Sequence, residues 1–389
     1  MIRYLGRRVL SGLVTLFLFV SLVFFGTQVV LPGDFVSQYA LFLSTSESEE
    51  MRQTLGLDLP LGERYLHWLG QLLHGDLGRS FSVEGMGAPV TEVILRTLPA
   101  TLLVFGLGTA IAFLGGQWLG RLAGWRSPKW FSGTATLGAI ALYTSFPPWL
   151  AFLLVYLFVL KLNLLPANAT RAMFRQPQVS QPQVMNQMLL TLLLALAITL
   201  AAAWGMRRLR RRRRLPILVQ LALIGTLWVG AWRVYDILPY AVEIMRSAAL
   251  PIMIYSLLSF GEIMLIVRTT MADTVDEEFI QTALAKGLKP AQVRDRHAAR
   301  AAILPVISRL VISLPYLFTG MVMIEQTVGW SGVGTTLLFA LGEQNVPLVA
   351  GMIVAIGIFS LLTRLGLDLI QISLDPRLRV ASAARRGLL

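Results

Sequence analysis

Runs of about twenty apolar residues, almost free of charge, recur along this chain, separated by shorter polar stretches. Each run is long enough to cross a hydrocarbon core of roughly 30 Å as a helix. Eight segments qualify: Leu10–Leu31, Ala100–Leu119, Ser132–Leu160, Met188–Trp204, Pro216–Trp232, Leu250–Val267, Ile303–Met323 and Val346–Ile372. The pattern predicts an all-α polytopic membrane protein. The first run is too long for a cleavable signal peptide, and LPGDF follows it where small residues would mark a cleavage site. One polar island stands out: Asp276–Pro305, DEEFIQTALAKGLKPAQVRDRHAARAAILP. About thirty residues make two short helices, which is too little for a catalytic domain.

Charge orients the spans. Alternating sides from a cytoplasmic N-terminus places Arg3, Arg7 and Arg8, then Arg121, Arg126 and Lys129, then the Arg207–Arg214 run, all on one side. The island and the tail with Arg377, Arg379, Arg385 and Arg386 join them there. Segment 32–99, richer in Asp and Glu than in Arg, falls outside. Basic loops on the cytoplasmic side are the positive-inside pattern, so both termini are predicted to be cytoplasmic.

Composition supports this class. Of the 389 residues 55% are hydrophobic and 14% charged, against roughly 25% charged in soluble domains. The net charge of +13 would suit nucleic acid, but it is spread over short loops with no room for a folded nucleic-acid module. RRLRRRRR at 207–214 reads as the anchor of a tight cytoplasmic turn, with an anionic-lipid site as the alternative. With no cysteine, disulfides and thiolate chemistry are excluded.

Enzyme motifs are absent too. None of the four lysines follows a glycine, so there is no phosphate loop of the GxxxxGK type. HExxH and GxSxG do not occur, and His67 and His74 lie far in sequence from His297. A shared surface or packing role suits His67 and His74 better than a metal site. Any work done by this chain would draw on a partner's energy.

Within the island, acidic residues open a helix over Asp276–Lys286, where they suit the positive end of its dipole. Phe279, Ala283 and Lys286 share a face, and Ala283 is small enough to admit a close approach. Gly287 supplies a left-handed stop and Pro290 starts the next helix. Arg294, Arg296, His297 and Arg300 make that second helix basic. On these grounds the island is either a docking hairpin or an ordinary cytoplasmic loop.

The residues FIQTALAKGLKPAQVRDRHAARAAILPV at 279–306 resemble the EAA loop of ATP-binding-cassette importer permeases, in its dipeptide/oligopeptide form. Ala283, Ala285, Lys286, Gly287, Arg296, His297, Ala298, Arg300, Leu304 and Pro305 match. The resemblance extends to the N-terminal span ending in Leu31–Asp34, to LGLDLPLGERYLHWLGQLLHGDLGRSF at 55–81 and to LPATL at 98–102. It continues in EQTVGWSGVG at 325–334 and LDPRLR at 374–379, covering most of 1–165 and 248–380. Gln281-Thr282 stands where some importers have Glu-Ala, Ser331 replaces an expected Pro, and Asp295 and Ala301 replace commoner residues.

The resemblance implies a six-span permease core, a coupling helix that docks on an ATPase, and docking residues Ala283, Ala285, Lys286 and Gly287 flanked by Leu288 and Val293. It implies partners: two nucleotide-binding ATPase subunits carrying ATP and Mg, a second homologous permease, and an extracytoplasmic substrate-binding protein. No cofactor is expected on this chain. The membrane would be a bacterial or archaeal cytoplasmic (inner) membrane. The cargo would be a peptide, with nickel chelates and short oligosaccharides as alternatives.

The expected organisation is a first span (1–31), an external segment (32–99), permease helices (100–165), an inserted region (166–247), a core carrying the loop 276–305 (248–373) and a cytoplasmic tail (374–389). The insertion is expected to hold a spanning hairpin near 188–232, which packs on the periphery or binds a lipid or regulatory partner.

Ionisable residues inside spans are functional candidates. Glu262, about 9 Å from the end of its span at 1.5 Å per residue, either lines the pathway or pairs with Arg268. Arg364 and Asp368 are spaced for an i,i+4 pair. By resemblance, Glu325 and Trp330 belong to a segment that forms the external gate, while Phe318, Met321 and Met323 read as packing. Two rival functions remain. A membrane enzyme or anchor would need a convergent polar cluster in 32–99, and an ion-driven secondary transporter would need intramembrane acidic clusters and an inverted repeat.

Overall fold

A computed structural model describes residues 2–30, 36, 44–54, 57–81, 87–166, 180–208 and 217–374. Among these the chain is helical, with one isolated antiparallel bridge between Arg79 and Pro89. The long helices are α1 (Ile2–Val30), α4 (Val90–Gly124), α7 (Gln181–Arg208), α9 (Leu238–Thr274), α12 (Ala299–Val328) and α14 (Val346–Leu374). Between them lie α2 (Thr45–Thr54), α3 (Leu61–Leu73), α5 (Lys129–Thr144), α6 (Pro147–Leu154), α8 (Ile217–Val234), α10 (Glu278–Ala285), α11 (Pro290–Gln292) and α13 (Val333–Gly342). The Leu31–Asp34 turn, most of the Arg207–Arg214 run and the basic tail lie outside the described residues, as do the side chains of Phe318, Arg364 and Asp368.

The third expected span, Ser132–Leu160, is corrected. It is two helices, α5 and α6 with its π-helical continuation to Lys161, meeting at 105°. Pro147 and Pro148 cannot donate to the preceding turn, and Phe146 before them is held extended at ψ 120°. Hydropathy runs smoothly across the break because the kink residues are themselves apolar.

The α4–α9 pair is the spine. Gly108, Gly116, Gly120 and Gly124 recur on one face of α4, where a side chain would collide with α9. A Cβ at Gly120 would lie 2.8 Å from the Met264 carbonyl oxygen, and one at Gly124 2.5 Å from that of Arg268. Small residues at four-residue spacing let two helices approach backbone to backbone, the usual device for association in lipid. On α9, Gly261 does the same for α5, where a Cβ would sit 2.4 Å from the Ala139 oxygen.

Between α6 and α9, α7 packs on α8, α4 and α9. Trp228 Nε1 donates to the Met188 carbonyl at 2.8 Å, and the Trp228 and Trp232 rings meet edge-on at 4.7 Å. Val184, Met185 and Met188 are buried with α4 and α9 residues, whereas Leu193, Leu200 and Trp204 on α7 are exposed and apolar, as a lipid-facing surface requires. At the same end of the molecule as α13, the amphipathic α3 lies against α1. Trp68 stacks near Phe24, and Ser21 hydrogen-bonds Tyr65 at 2.6 Å.

Candidate functional site

Two polar constructions sit at opposite ends of the α4–α9 spine, and Glu262 of α9 lies between them. At one end α9 passes into the hairpin α10–α11. Glu277 is extended and starts α10, Gly287 takes φ +77° at the turn, and Pro290 opens α11. That φ is the left-handed region glycine occupies without strain, and no atom lies near the space a Cβ would fill there. Beneath the turn Ile280, Ala283, Val293 and Ala298 are buried with Val275, Trp125 and Val306. The hairpin is therefore seated on the ends of α4, α9 and α12.

This seating divides the six docking candidates. Ala283 and Val293 are turned inward, 7% and 0% exposed, and pack in the hairpin's own core. An eight-residue helix with Ile280 pinned beneath it rotates Ala283 toward the same side. Ala285, Lys286, Gly287 and Leu288 are exposed. Phe279, which the sequence reading placed on one face with Ala283, is exposed as well, so the rim offers two large apolar side chains, Phe279 at 48% and Leu288 at 37%. Nearby, Arg294 holds Asp295 in a two-pronged ion pair at 2.8 and 2.9 Å, which keeps the Asp295 carboxyl below its ordinary range.

At the other end α12 stops at Gly329, φ +66°, and Trp330 N–H returns to the Glu325 carbonyl at 2.8 Å. The Glu325 side chain is fully buried. Its Oε1 accepts from Thr101 Oγ1 at 2.6 Å; its Oε2 accepts from the backbone N–H groups of Gly334 and Thr335 at 2.7 and 3.1 Å. Thr101 Oγ1 in turn accepts from Val333 N–H at 2.9 Å, and Trp330 Nε1 donates to the Ala100 carbonyl at 3.2 Å. A carboxylate at the N-terminus of α13 satisfies donors that the helix leaves unpaired and suits its dipole. Glu325 and Trp330 thus clasp α13 and the end of α12 onto α4, facing inward rather than lining an open surface of this chain.

A second tie lies alongside. Asn345, fully buried, donates through Nδ2 to Ser80 Oγ at 2.9 Å and accepts at Oδ1 from Phe81 N–H at 3.2 Å. It fastens the segment after α3 to the α13–α14 corner. Sequence reasoning missed Thr101 and Asn345; a hydroxyl in the apolar run LPATL was the signal for the first.

Glu262 lies between these ends. Helix α9 runs on past Val267 to Thr274, so Glu262 sits about 18 Å from the hairpin end at 1.5 Å per residue. It lines an open cavity of about 400 Å³ with Tyr143, Leu265 and Ile266. Arg268, its expected alternative partner, donates through Nε to Ser132 Oγ at 3.1 Å. Of the packing candidates, Met321 is buried and Met323 is exposed. His67 lies by Gln71 at 3.1 Å, and a ring nitrogen of His74 is 2.8 Å from the Gly70 carbonyl.

A bundle of long apolar helices, a polar hairpin seated rigidly at one end and a clasped corner at the other make up a multi-pass membrane transport component. The chain belongs to the family described as binding-protein-dependent transport system inner membrane component, which it matches over residues 116–380; it also matches that system's N-terminal membrane component over residues 1–104. It is 27% identical to a putative peptide permease protein of Brucella ovis, across 98% of this chain and the whole of that one. To the dipeptide transport system permease protein DppB of Escherichia coli K12 it is 25% identical, across 97% of this chain and 99% of that one. A putative peptide transport system permease protein of Brucella abortus is 26% identical across 93% and 94%. The chain is a permease subunit of an ABC import system, a multi-pass inner-membrane transporter component.

Proposed function

We propose that this chain forms half of the pore of an ATP-driven importer of peptides or a similar small solute, and that its α10–α11 hairpin is the handle by which ATPase subunits drive it. The termini and the hairpin are cytoplasmic, in keeping with the basic loops. A second, homologous permease completes the pore as a heterodimer. Two nucleotide-binding subunits hold ATP and Mg, which this chain does not bind, and a substrate-binding protein delivers cargo to the α3 and α13 side. Peptide cargo is supported by the names of the relatives.

The observation that carries the reading is the rim around Gly287. Phe279 and Leu288 are exposed on an otherwise polar hairpin, while Ile280, Ala283 and Val293 fix it to three long helices. Exposed apolar side chains on a rigid mount are what a partner's groove grips, and one buried anchor commonly contributes about 2 kcal/mol to binding, roughly thirtyfold. Affinity purification of the chain from native membranes should recover a nucleotide-binding ATPase. Leu288→Asp should cut that recovery by about thirtyfold and abolish uptake, with membrane insertion unchanged. Undiminished ATPase recovery and uptake in Leu288→Asp would refute the docking surface.

A further inference from the structure

We propose that the cavity between α5 and α9, lined by Tyr143, Glu262, Leu265 and Ile266, is a subsite for the protonated amine of the cargo. Three features converge there. Glu262 is an acidic side chain within the apolar run of α9, about 9 Å along the helix from Arg268. An ionisable group in such a run costs stability and marks a transport path more often than a packing site. The second feature is the break in the neighbouring span. Helix α5 ends at Thr144 and the chain turns by 105°, and Gly261, next to Glu262, packs directly against Ala139 and Tyr143 in the last two turns of α5. The negative end of the α5 dipole is thereby delivered inside the bilayer beside the Glu262 side chain. Interrupted helices of this kind place backbone dipoles where a solute passes. The third is Tyr143, 46% exposed, whose ring face attracts a cation.

Carboxylate, helix C-terminus and aromatic ring all favour positive charge, and none favours an anion. The rest of the lining, Leu265 and Ile266, is apolar, so the occupant is an organic cation with hydrocarbon attached rather than a hydrated metal ion. A cavity of about 400 Å³ lies at the small end of the range for ligand pockets, enough for an α-ammonium and the first side chain of a short peptide. The link to cargo rests on the importer reading above.

The chain contains no cysteine, so Ile266→Cys places a single thiol of this chain in the cavity. In membrane vesicles carrying the full complex, phenethylammonium should slow maleimide labelling of Ile266→Cys by about tenfold, the worth of one charge-assisted contact. Its neutral isostere 2-phenylethanol should not, and adding Glu262→Gln should remove the protection. Equal protection by the alcohol, protection that survives Glu262→Gln, or a thiol that does not react because another subunit covers it would each overturn the cation site.

A second arm measures uptake of alanyl-phenylalanine. Glu262→Gln should raise KM about tenfold with the maximal rate retained, and Glu262→Asp should restore part of the affinity. An unchanged KM overturns the role in cargo recognition even if the labelling result stands. Absence of dipeptide uptake by the unsubstituted complex refutes the peptide reading instead, and the labelling arm alone then decides the cation site.

Discussion

Glu325→Ala should release α13 from the rest of the molecule. The buried carboxylate accepts from Thr101 Oγ1, Gly334 N–H and Thr335 N–H, and alanine leaves all three donors without it. A buried donor left unmade costs about 1–3 kcal/mol, and the cap of a helix alone is worth about 1 kcal/mol. The cavity left by the side chain has polar walls and can take a water, which returns part of the loss. A net local cost of about 3 kcal/mol follows, roughly a hundredfold in an opening equilibrium. Hydrogen exchange of the complex in lipid nanodiscs reads this directly, because α13 amides exchange by local opening. Those amides should exchange about a hundredfold faster in Glu325→Ala, while α3, which packs on α1 and α14 rather than on α13, should be unaffected. Glu325→Gln should fall between the two, at about tenfold. Its oxygen still serves the two N–H groups, but its NH₂ now faces Thr101 Oγ1, which already accepts from Val333 N–H. Unaltered α13 exchange in Glu325→Ala, or equal effects of Ala and Gln, would refute the clasp.

Glycine substitutions should separate sharply by position. Gly124→Val drives a side chain into Arg268 O and Met271 and should cost about 3 kcal/mol or more, read as loss of monodisperse protein on extraction. Gly138→Ala, with open space around its Cβ, should be neutral or stabilising by up to about 1 kcal/mol; the reverse order would refute the close-packed spine. Asn345→Ala should free the segment after α3 at a cost of about 2 kcal/mol, seen as faster proteolysis between Asp76 and Pro89, and unchanged cleavage would show the tie to be dispensable.

Legibility in the sequence followed the range of the interactions. The spans in α1, α4, α7 and α9, long and apolar enough to cross a membrane, were legible because solvent alone decides them: about twenty apolar residues have one way to satisfy their backbone in lipid. Their ends were not, since hydropathy reports the solvent and helices continue past it, as α9 does from Val267 to Thr274. The break at Pro147-Pro148 is written in plain letters, yet apolarity on both sides made one span of it. Within the hairpin, Gly287 and Pro290 announced the turn, whereas the inward rotation of Ala283 depends on Ile280, Val293 and Trp125 meeting in three dimensions. Glu325 stood out as a carboxylate at a span's end. Its partner Thr101, 224 residues away, left only an unremarkable hydroxyl.

The same packing bears on how the two ends are connected. The hairpin core is shared with Ile263, Val267 and Met271 of α9 and with Ala112 of α4, so it cannot shift alone without opening apolar surface to water or lipid. From there the glycine line locks α4 to α9 at backbone distance, and interiors packed in this way move as bodies rather than deforming continuously. Thr101 lies farther along that same α4 and holds Glu325, Val333 and, through Glu325, the N-terminus of α13. On the proposed docking, a displacement of the Gly287 rim by an ATPase therefore carries α4, α9 and the clasped corner with it. The break between α5 and α6 is where motion relative to this body can be taken up. Glu262 is on the moving helix and Tyr143 on the broken one, so the walls of the cavity between them belong to different parts of the machine. A cation held there would feel the change of state, which gives an apolar span a reason to carry a charge at all.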